Sequence, residues 1–539
     1  MLDQQTVWIF RAVACLLCAC FYFAATAKLV GVMQQGGYKA KKFLRWYGQE
    51  RNAYFSRMLF WSVLSLAATA LFIFVFYFLH EVPAMALGGI PFFGFAVLFF
   101  WVDKKFALKV QAKKSGRWAR LCVAYCILIA VVAFGLICLC ALLDPLLSMA
   151  YGWLRAMRFL PLCFLPLLLP YILLLANAIT APFENARNRK FIKRAGQVLD
   201  EREMIKIGIV GSYGKTSVKN ILHTLLLEKY SVAVSPASYN TPIGVAKTVF
   251  SDGFEKAQVA IFEMGARQEG DIKELCELVK PDYILFTGVC AQHIQTFGSE
   301  EAVFRAKCEA LFSTAKTVVC GKSLEDRIAK AYPEQAAKCV FARKGKDVEL
   351  RATETAFTLA LNSGEVAVKT ALLGEGAVEN ISLAACLAEQ LRLTRDEIAR
   401  GVEKLQPVEH RLQLTKENGV YILDDAYNCN IKGAKAAIAA LCRFEQKKYV
   451  ITPGIVETGV LHSEINGELG RVLAGAGIDL IVLVGETQAR VIEKAYLQAG
   501  GEAEKLIVLP SLEKAVEIIS GKLSAGDCIL FMNDLPDVV

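Results

Sequence analysis

The run Ile205-Lys-Ile-Gly-Ile-Val-Gly-Ser-Tyr-Gly-Lys-Thr-Ser217 carries the sharpest chemical signal in this 539-residue chain. A β-branched apolar segment enters a glycine-rich turn, and the helical pattern Val218–Glu228 leaves it. Gly211 and Gly214 free the backbone to close its N–H groups around phosphate oxygens, with Ser212 and Ser217 in the same loop. The helix N-terminus adds positive potential, Lys215 suits β- and γ-phosphates, and the Thr216 hydroxyl suits Mg²⁺. Ile209 stands where the general G-x-x-x-x-G-K-[ST] pattern needs its first glycine, so this is the shorter G-x-x-G-K-T-S. A strand, a glycine turn, Lys-Thr and a helix in register predict nucleotide binding.

Phosphate loops serve many reactions, so other residues must choose among them. Glu263 ends the apolar run Val259–Glu263, which places a carboxylate at the carboxyl edge of a strand, where a divalent cation needs oxygen ligands. In isolation a helix-capping acid is the lesser alternative. His293 follows the run Tyr283–Thr287 at the same kind of edge, and alone would be a surface-loop histidine. Lys307 sits in Val303-Phe-Arg-Ala-Lys-Cys-Glu-Ala-Leu311, where a lone lysine is ordinarily a solvated one.

Taken in order, these segments resemble the Mur ligase superfamily, nearest its D-alanyl-D-alanine-adding branch. Gly211–Ser217 is similar to the family's phosphate loop. Asn240-Thr-Pro-Ile-Gly244 and Glu263-Met-Gly-Ala266 are similar to two further motifs. His293-x-x-x-Phe-Gly-Ser299 with Ala306-Lys-Cys-Glu309 has the family's histidine-to-lysine spacing. Asn380-Ile with Ala384-Ala385 resembles its adenine-contacting helix. His410-Arg-Leu412 and Asp424-Asp-Ala-Tyr-Asn-Cys-Asn430 resemble the hinge and start of its last domain. The likeness runs from about residue 204 to the C-terminus.

The resemblance implies that ATP phosphorylates a carboxylate and that an amine then attacks the acyl phosphate. It implies Mg²⁺ held by Thr216 and Glu263, and a second ion served by His293 and a carbamylated Lys307. Asn380 is expected at adenine, Arg411 at the phosphates and Asp425 at the ribose; Lys215, Glu263, His293 and Lys307 form the expected catalytic set. Three departures stand out. Leu383 replaces a second asparagine, Ile431 replaces a proline, and the family's N-terminal UDP-sugar domain gives way to apolar segments.

What must position these residues is α/β architecture. From Met204, short β-branched runs alternate with helical patterns at 205–210, 259–263, 283–287, 317–320, 449–452, 480–484, 506–509 and 528–532. That alternation predicts parallel sheets with helices on both faces, including a Rossmann-like last domain. The stretch 338–373 alternates without helices and reads as antiparallel strands; helices are expected near 377–392 and 394–405. The expected domains are a central ATP-binding domain, 204–406, and a C-terminal domain, 407–539.

The first 200 residues are of another kind. They hold 22 Lys and Arg against 7 Asp and Glu, although the whole chain nets only +9. Five stretches, near 7–27, 58–80, 82–102, 121–143 and 159–181, approach the ~20 apolar residues a bilayer demands. Pro161, Pro166 and Pro170 are expected to kink the fifth or make it re-entrant. Basic residues fill alternate loops: Lys39 to Arg57, Lys104 to Arg120, and Arg187 to Arg194. This predicts a helical membrane domain, 1–182, with its N-terminus outside, a basic linker, 183–203, and cytoplasmic soluble domains. A wholly soluble protein is excluded, and charge placed beside apolar runs argues against a nucleic-acid partner. Cysteines number 17, eight of them in the apolar third. The single C-x-x-C, Cys15–Cys18, has no second pair to complete a zinc site.

The function expected is a membrane-anchored ligase of cell-wall precursor synthesis. Its partners are membrane lipids, an envelope precursor that is either lipid-linked or UDP-linked, and an amino acid or dipeptide. Alternatives are a ligase making poly-γ-glutamate or a similar polymer, a phosphate-loop ATPase coupled to transport, and an inactive anchored scaffold. The transport reading requires charged residues within the spans, and the sequence supplies no intramembrane acid–base pair.

Overall fold

A computed structural model describes residues 4–48, 54–77, 113–142 and 163–533, apart from 237–238, 291–296, 428–429, 457, 459–460 and 487. Residues 1–187 and 188–536 form two compact units.

The first unit contains α1 (Gln4–Gln35), α2 (Ala40–Tyr47), α3 (Tyr54–Tyr77), α4 (Gly116–Leu142) and the start of α5 (Leu165–Glu201). Leu29, Val30 and Met33 of α1 are buried together with Tyr125 and Ile129 of α4 and Leu169 and Leu173 of α5. Small residues at the seam, Ala19, Ala25, Ala133 and Ala176, let helices approach closely, as lipid-embedded helices require. The Thr26 and Tyr125 hydroxyls lie 2.9 Å apart inside it. Outward faces are apolar too, with Leu16, Phe21, Val123, Ile127, Val131, Leu175 and Ile179 exposed. Apolar residues all round a helix are the mark of a buried or membrane helix.

Among the described residues three helices are long and apolar enough to cross a membrane: Cys15–Gln35, Gly116–Leu136 and Leu165–Glu201. Within α3, Met58–Ala68 is a shorter apolar helix, and the expected stretch 82–102 lies outside the described residues. Pro170 and Pro182 lie inside one continuous 37-residue helix that also takes in most of the supposed linker. At its polar turn Glu184 is buried and pairs with Arg120 and, at 3.5 Å, with Arg187.

The second unit begins on the parallel sheet of β1 (Ile205–Val210), β2 (Val232–Val234), β3 (Val259–Glu263), β4 (Tyr283–Phe286), β5 (Thr317–Cys320) and β6 (Cys339–Phe341), in the order β2-β3-β1-β4-β5-β6. Its helices are α6 (Lys215–Leu226), α7 (Pro242–Val249), α8 (Asp271–Val279), α9 (Glu300–Cys308), α10 (Glu325–Ala331) and α11 (Pro333–Ala336). An antiparallel sheet follows, β7 (Lys346–Leu350), β8 (Thr355–Leu361) and β9 (Gly364–Thr370), then α12 (Glu375–Gln390) and α13 (Arg395–Glu403). The stretch 338–373 is therefore not wholly antiparallel. Cys339 pairs in parallel with Val318, so β6 completes the edge of the main sheet before the chain turns away.

The last sheet comprises β10 (Gln413–Glu417), β11 (Val420–Asp425), β12 (Lys448–Thr452), β13 (Leu480–Val484), β14 (Leu506–Leu509) and β15 (Cys528–Met532). Its order is β10-β11-β15-β12-β13-β14, with only β10 antiparallel to its neighbour. It carries α14 (Ile431–Leu441), α15 (His462–Ala474), α16 (Ala489–Gln498) and α17 (Leu512–Ser520).

The register of the first sheet aims the chemistry. Ile209 pairs with Glu263 and Val210 with Phe286, so the turn after β1, the end of β3 and the turn after β4 share one carboxyl edge. Strand order reverses about β1, which is the kind of crevice where open α/β sheets bind ligands.

Candidate active site

The phosphate loop is built by close approach. Gly211 has φ 151° and a Cβ there would lie 2.0 Å from Thr287 Oγ1; Gly214, at φ 73°, caps α6. Side chains at either position would open the loop. Ser212 N donates to the Gly288 carbonyl at 2.8 Å, tying the loop to the turn after β4. Lys215 folds back, its Nζ donating to the Gly211 carbonyl at 2.9 Å.

Glu263 is buried at the β3 edge with three partners. Thr216 Oγ1 donates to it at 2.9 Å, Asn240 Nδ2 donates at 3.4 Å, and Lys219 Nζ lies 3.5 Å away. Lys219 is itself only 2% exposed and donates to the Ser235 carbonyl at 2.8 Å. Burial lowers the pKa of both Lys215 and Lys219, and the Glu263 charge opposes that in each. Lys307, on the last turn of α9, is also buried. Burial first and the Lys215 charge second bring it down to about 7, against the pull of Asp271, Glu309 and Glu263. His293 lies outside the described residues.

A cleft of about 500 Å³ opens beside the loop, lined by Gly214, Ser217, Asn380, Arg411, Asp425 and residues of α14. That volume suits a nucleotide-sized ligand. Asn380 Oδ1 sits 2.9 Å from where a Gly214 Cβ would be. Arg411 lies over the Tyr427 ring at 4.1 Å, and Asp425 Oδ1 accepts from Leu412 N at 3.1 Å. Lys432 reaches from α14 to Glu379 at 3.1 Å and to the Tyr213 hydroxyl at 3.4 Å. Burial opposes its charge, but Tyr213 and Glu379 hold its pKa above the ordinary lysine value.

The structure thus gathers Gly211, Ser212, Gly214, Lys215, Thr216, Glu263 and Lys307 around the loop. It puts Ser217, Asn380, Arg411 and Asp425 on the cleft walls. Sequence reasoning missed Lys219, although it falls one helical turn after Lys215. It also missed the bridge through Lys432, which joins residues 219 positions apart and has no local signal.

The family model for the Mur ligase middle domain matches residues 209–388, and that for the Mur ligase glutamate ligase domain matches 410–533. Together they span more than half of the chain, which belongs to the Mur ligase family of ATP-dependent amino-acid ligases. Within that family the likeness is to a particular branch. The UDP-N-acetylmuramoyl-tripeptide–D-alanyl-D-alanine ligase of Bacillus subtilis is 27% identical over 60% of this chain and 72% of its own length. That of Escherichia coli is 27% identical over 57% and 70%. Among solved structures, MurF of Thermotoga maritima in complex with ADP superposes with a TM-score of 0.57 at 25% identity, covering 64% of this chain and 80% of that one. MurF of Acinetobacter baumannii gives 0.58 at 21% identity, covering 64% and 77%.

Proposed function

We propose that the chain is a membrane-anchored ATP-dependent ligase that forms an amide bond on a cell-envelope precursor by way of an acyl phosphate. The observation that carries this reading is the tie between the phosphate loop and a buried carboxylate: Thr216 Oγ1 to Glu263, 2.9 Å, with Lys215 and Lys307 close enough to feel the same charge. In the reaction a substrate carboxylate attacks the γ-phosphorus of ATP and ADP leaves. An amine then attacks the acyl carbon, phosphate departs, and the amine's proton passes to solvent or a nearby base.

Negative charge develops on the transferring phosphoryl oxygens, so fixed cations and N–H groups around them lower the barrier. Lys215 and the Gly211–Ser217 amides take that role, with Arg411 reaching the phosphates from the last domain. Asn380 serves adenine and Asp425 the ribose. Acyl phosphates hydrolyse, so residues 407–539 closing on 204–406 exclude water.

Thr216 and Glu263 fit Mg²⁺, which prefers oxygen ligands and binds through one carboxylate while keeping water and phosphate oxygens. When bound, the ion supplies charge neutralisation at the phosphates. His293 and Lys307 serve a second ion. A lysine brought to about 7 is largely neutral at physiological pH and can capture CO₂ as a carbamate, which turns a cation into an anionic ligand.

Residues 1–182 form the membrane domain, N-terminus outside, with the ligase domains 204–406 and 407–539 in the cytoplasm and 183–203 between. The acceptor is a lipid-linked muropeptide or related precursor, because anchoring confines the encounter to a thin layer and raises effective concentration. The test is phosphate release by the full-length chain in liposomes, given lipid-linked or UDP-linked precursors with candidate amines that include D-alanyl-D-alanine. Turnover with a precursor and an amine together, and none with either alone, is expected. Faster turnover of UDP-linked than of lipid-linked precursors refutes the lipid-linked acceptor. ATP hydrolysis indifferent to both refutes the ligase reading.

A further inference from the structure

Two helix ends meet at one rim of the first unit. α1 stops at Gln35 and α4 starts at Gly116, and Gln34 Nε2 donates to the Lys113 carbonyl at 2.7 Å. The turn after α1 is fixed at the same place. The Arg117 guanidinium lies 3.8 Å from the centre of the Tyr38 ring, and the Tyr38 carbonyl accepts from Asn177 Nδ2 of α5 at 3.1 Å. From that turn α2 lies back on the bundle, with Phe43 and Tyr47 buried and Tyr47 edge-on to Tyr171 of α5. Lys41, Lys42, Leu44 and Arg45 of α2 stay exposed, as does Lys39 just before it.

The charge gathered here has no answer within the unit. Lys113 and Lys114 are exposed ahead of α4, so two separate segments bring cations to the same rim. Glu184 is the only acid among the described residues of the unit, and Arg120 and Arg187 already hold it. Among the described residues none of Lys39, Lys41, Lys42, Arg45, Lys113 and Lys114 makes an ion pair. Like charges on one face repel, and the anion that relieves them comes from outside the chain.

The level of the rim selects that anion. These cations stand directly outside apolar helices long enough to cross a membrane, Cys15–Gln35 and Gly116–Leu136, where lipid headgroups lie. Tyr38, Trp46 and Trp118 are half-buried at the same level, and such rings collect at the headgroup boundary. Leu44, exposed between Lys41 and Arg45, offers an apolar contact to acyl chains, beside cations whose long stems reach the phosphates. Exposed side chains spread over two segments suit many headgroups rather than one enclosed ligand.

We infer that α2 and the segment leading into α4 form a docking face for anionic phospholipid headgroups of the cytoplasmic leaflet. Lys39, Lys41, Lys42 and Arg45 meet their phosphates on one side, and Lys113 and Lys114 on the other. This rests on the membrane reading above and adds to it a preference for charged lipid.

Every tryptophan of the chain precedes residue 182, so tryptophan emission reports this unit. The experiment follows that emission while the full-length chain in detergent micelles is titrated with phosphatidylglycerol, with phosphatidylcholine of the same acyl chains, and with a polyprenyl pyrophosphate. The natural chain is compared with the variant Lys39→Gln, Lys41→Gln, Lys42→Gln, Arg45→Gln, and with the charge-keeping Lys39→Arg, Lys41→Arg, Lys42→Arg. The natural chain should bind phosphatidylglycerol about 10-fold more tightly than phosphatidylcholine, or better. The glutamine variant should lose that factor, since each cation at an anionic surface contributes about fivefold; the arginine variant should keep it. Raising salt from about 0.1 to about 0.5 M should erase the preference in the natural chain, which tests the face without any variant. Equal affinity for the two phospholipids, a preference that survives salt, or phosphatidylglycerol affinity within twofold in the glutamine variant overturns the inference. Tighter binding of the polyprenyl pyrophosphate, lost in the same variant, also overturns it, by making the face a site for the lipid-linked acceptor. A chain that stays monodisperse without detergent would instead overturn the membrane reading itself.

Discussion

Replacing Lys219 with methionine keeps the volume of the side chain and removes its charge. The Lys219–Glu263 pair sits 3.5 Å apart, at 2% and 3% side-chain exposure. At an effective dielectric of about 20 two unit charges at that separation attract by about 5 kcal/mol. Without Lys219, Glu263 keeps the uncharged Thr216 hydroxyl and Asn240 amide as hydrogen-bond partners, with Lys215 and Lys307 as more remote cations that soften the loss. Removing one member of a buried pair typically costs 3–5 kcal/mol, because the other stays buried and uncompensated. For a domain of this size that is a fall in melting temperature of roughly 6–20 °C. Glu263→Gln should cost a similar amount by stranding Lys219. The double variant, with neither charge, should be more stable than the sum of the two single losses predicts, by about 2 kcal/mol or more. Scanning calorimetry of the full chain in micelles is the right assay, because all six tryptophans lie before residue 182 and fluorescence would not report this domain. A Lys219→Met loss under about 1 kcal/mol, or a double variant equal to the sum of the singles, would refute the view that Lys219 is the buried counter-charge of Glu263.

Lys307→Met should raise stability near pH 6, because burial penalises the ammonium there. The folded pKa of about 7 lies below the ordinary 10.5, so the penalty is full below pH 7 and the gain should shrink as pH rises toward 10, in melting curves taken across that range. A gain that grows with pH would contradict the assignment. Gly211→Ala should abolish nucleotide binding in titration calorimetry, since its Cβ would fall 2.0 Å from Thr287 Oγ1. Lys215→Ala should lower the rate of phosphate release at least ~100-fold, by loss of the phosphate-facing cation. A reporter fused after Val539 should be active only on the cytoplasmic side; activity on the outer side would overturn the topology.

What could be read from sequence was what is contiguous. The phosphate loop lies within thirteen residues whose glycines, lysine and threonine each answer a local demand, and Glu263 follows directly from a strand that ends at the edge. Long apolar runs declare strands by themselves, and β1, β3, β5, β13, β14 and β15 occur where those runs lie. The shorter β2 and β6 have three residues each, too few to show a period, and exist because a neighbouring edge supplies their hydrogen bonds. β10 is polar and mostly exposed and lacks the apolar signature of its sheet, while β11 shows it only in the short half-exposed run Val420–Leu423. The prolines of the fifth apolar stretch are a related case. A missing N–H is a local defect, and in α5 the helix continues through it under the hold of its packed neighbours, Leu169, Leu173 and Ala176.

The site divides along the same line. Residues that meet phosphate are given by motif, because every nucleotide presents the same charged oxygens to a short loop. Residues that tune or complete the site are given by tertiary contact: Lys219 by the depth at which α6 packs, Lys432 by α14 meeting the loop. Each of these two lysines would pass in sequence for a solvated surface charge. Burial separates Lys219 from the many that are, and bonds to Glu379 and Tyr213 separate Lys432; both are properties of the folded chain. A basic residue in this protein therefore becomes a functional candidate when the fold hides its charge and sets a carboxylate against it. By that criterion Lys219, hidden in the core and answered within the chain by Glu263, stands apart from the solvated lysines around it.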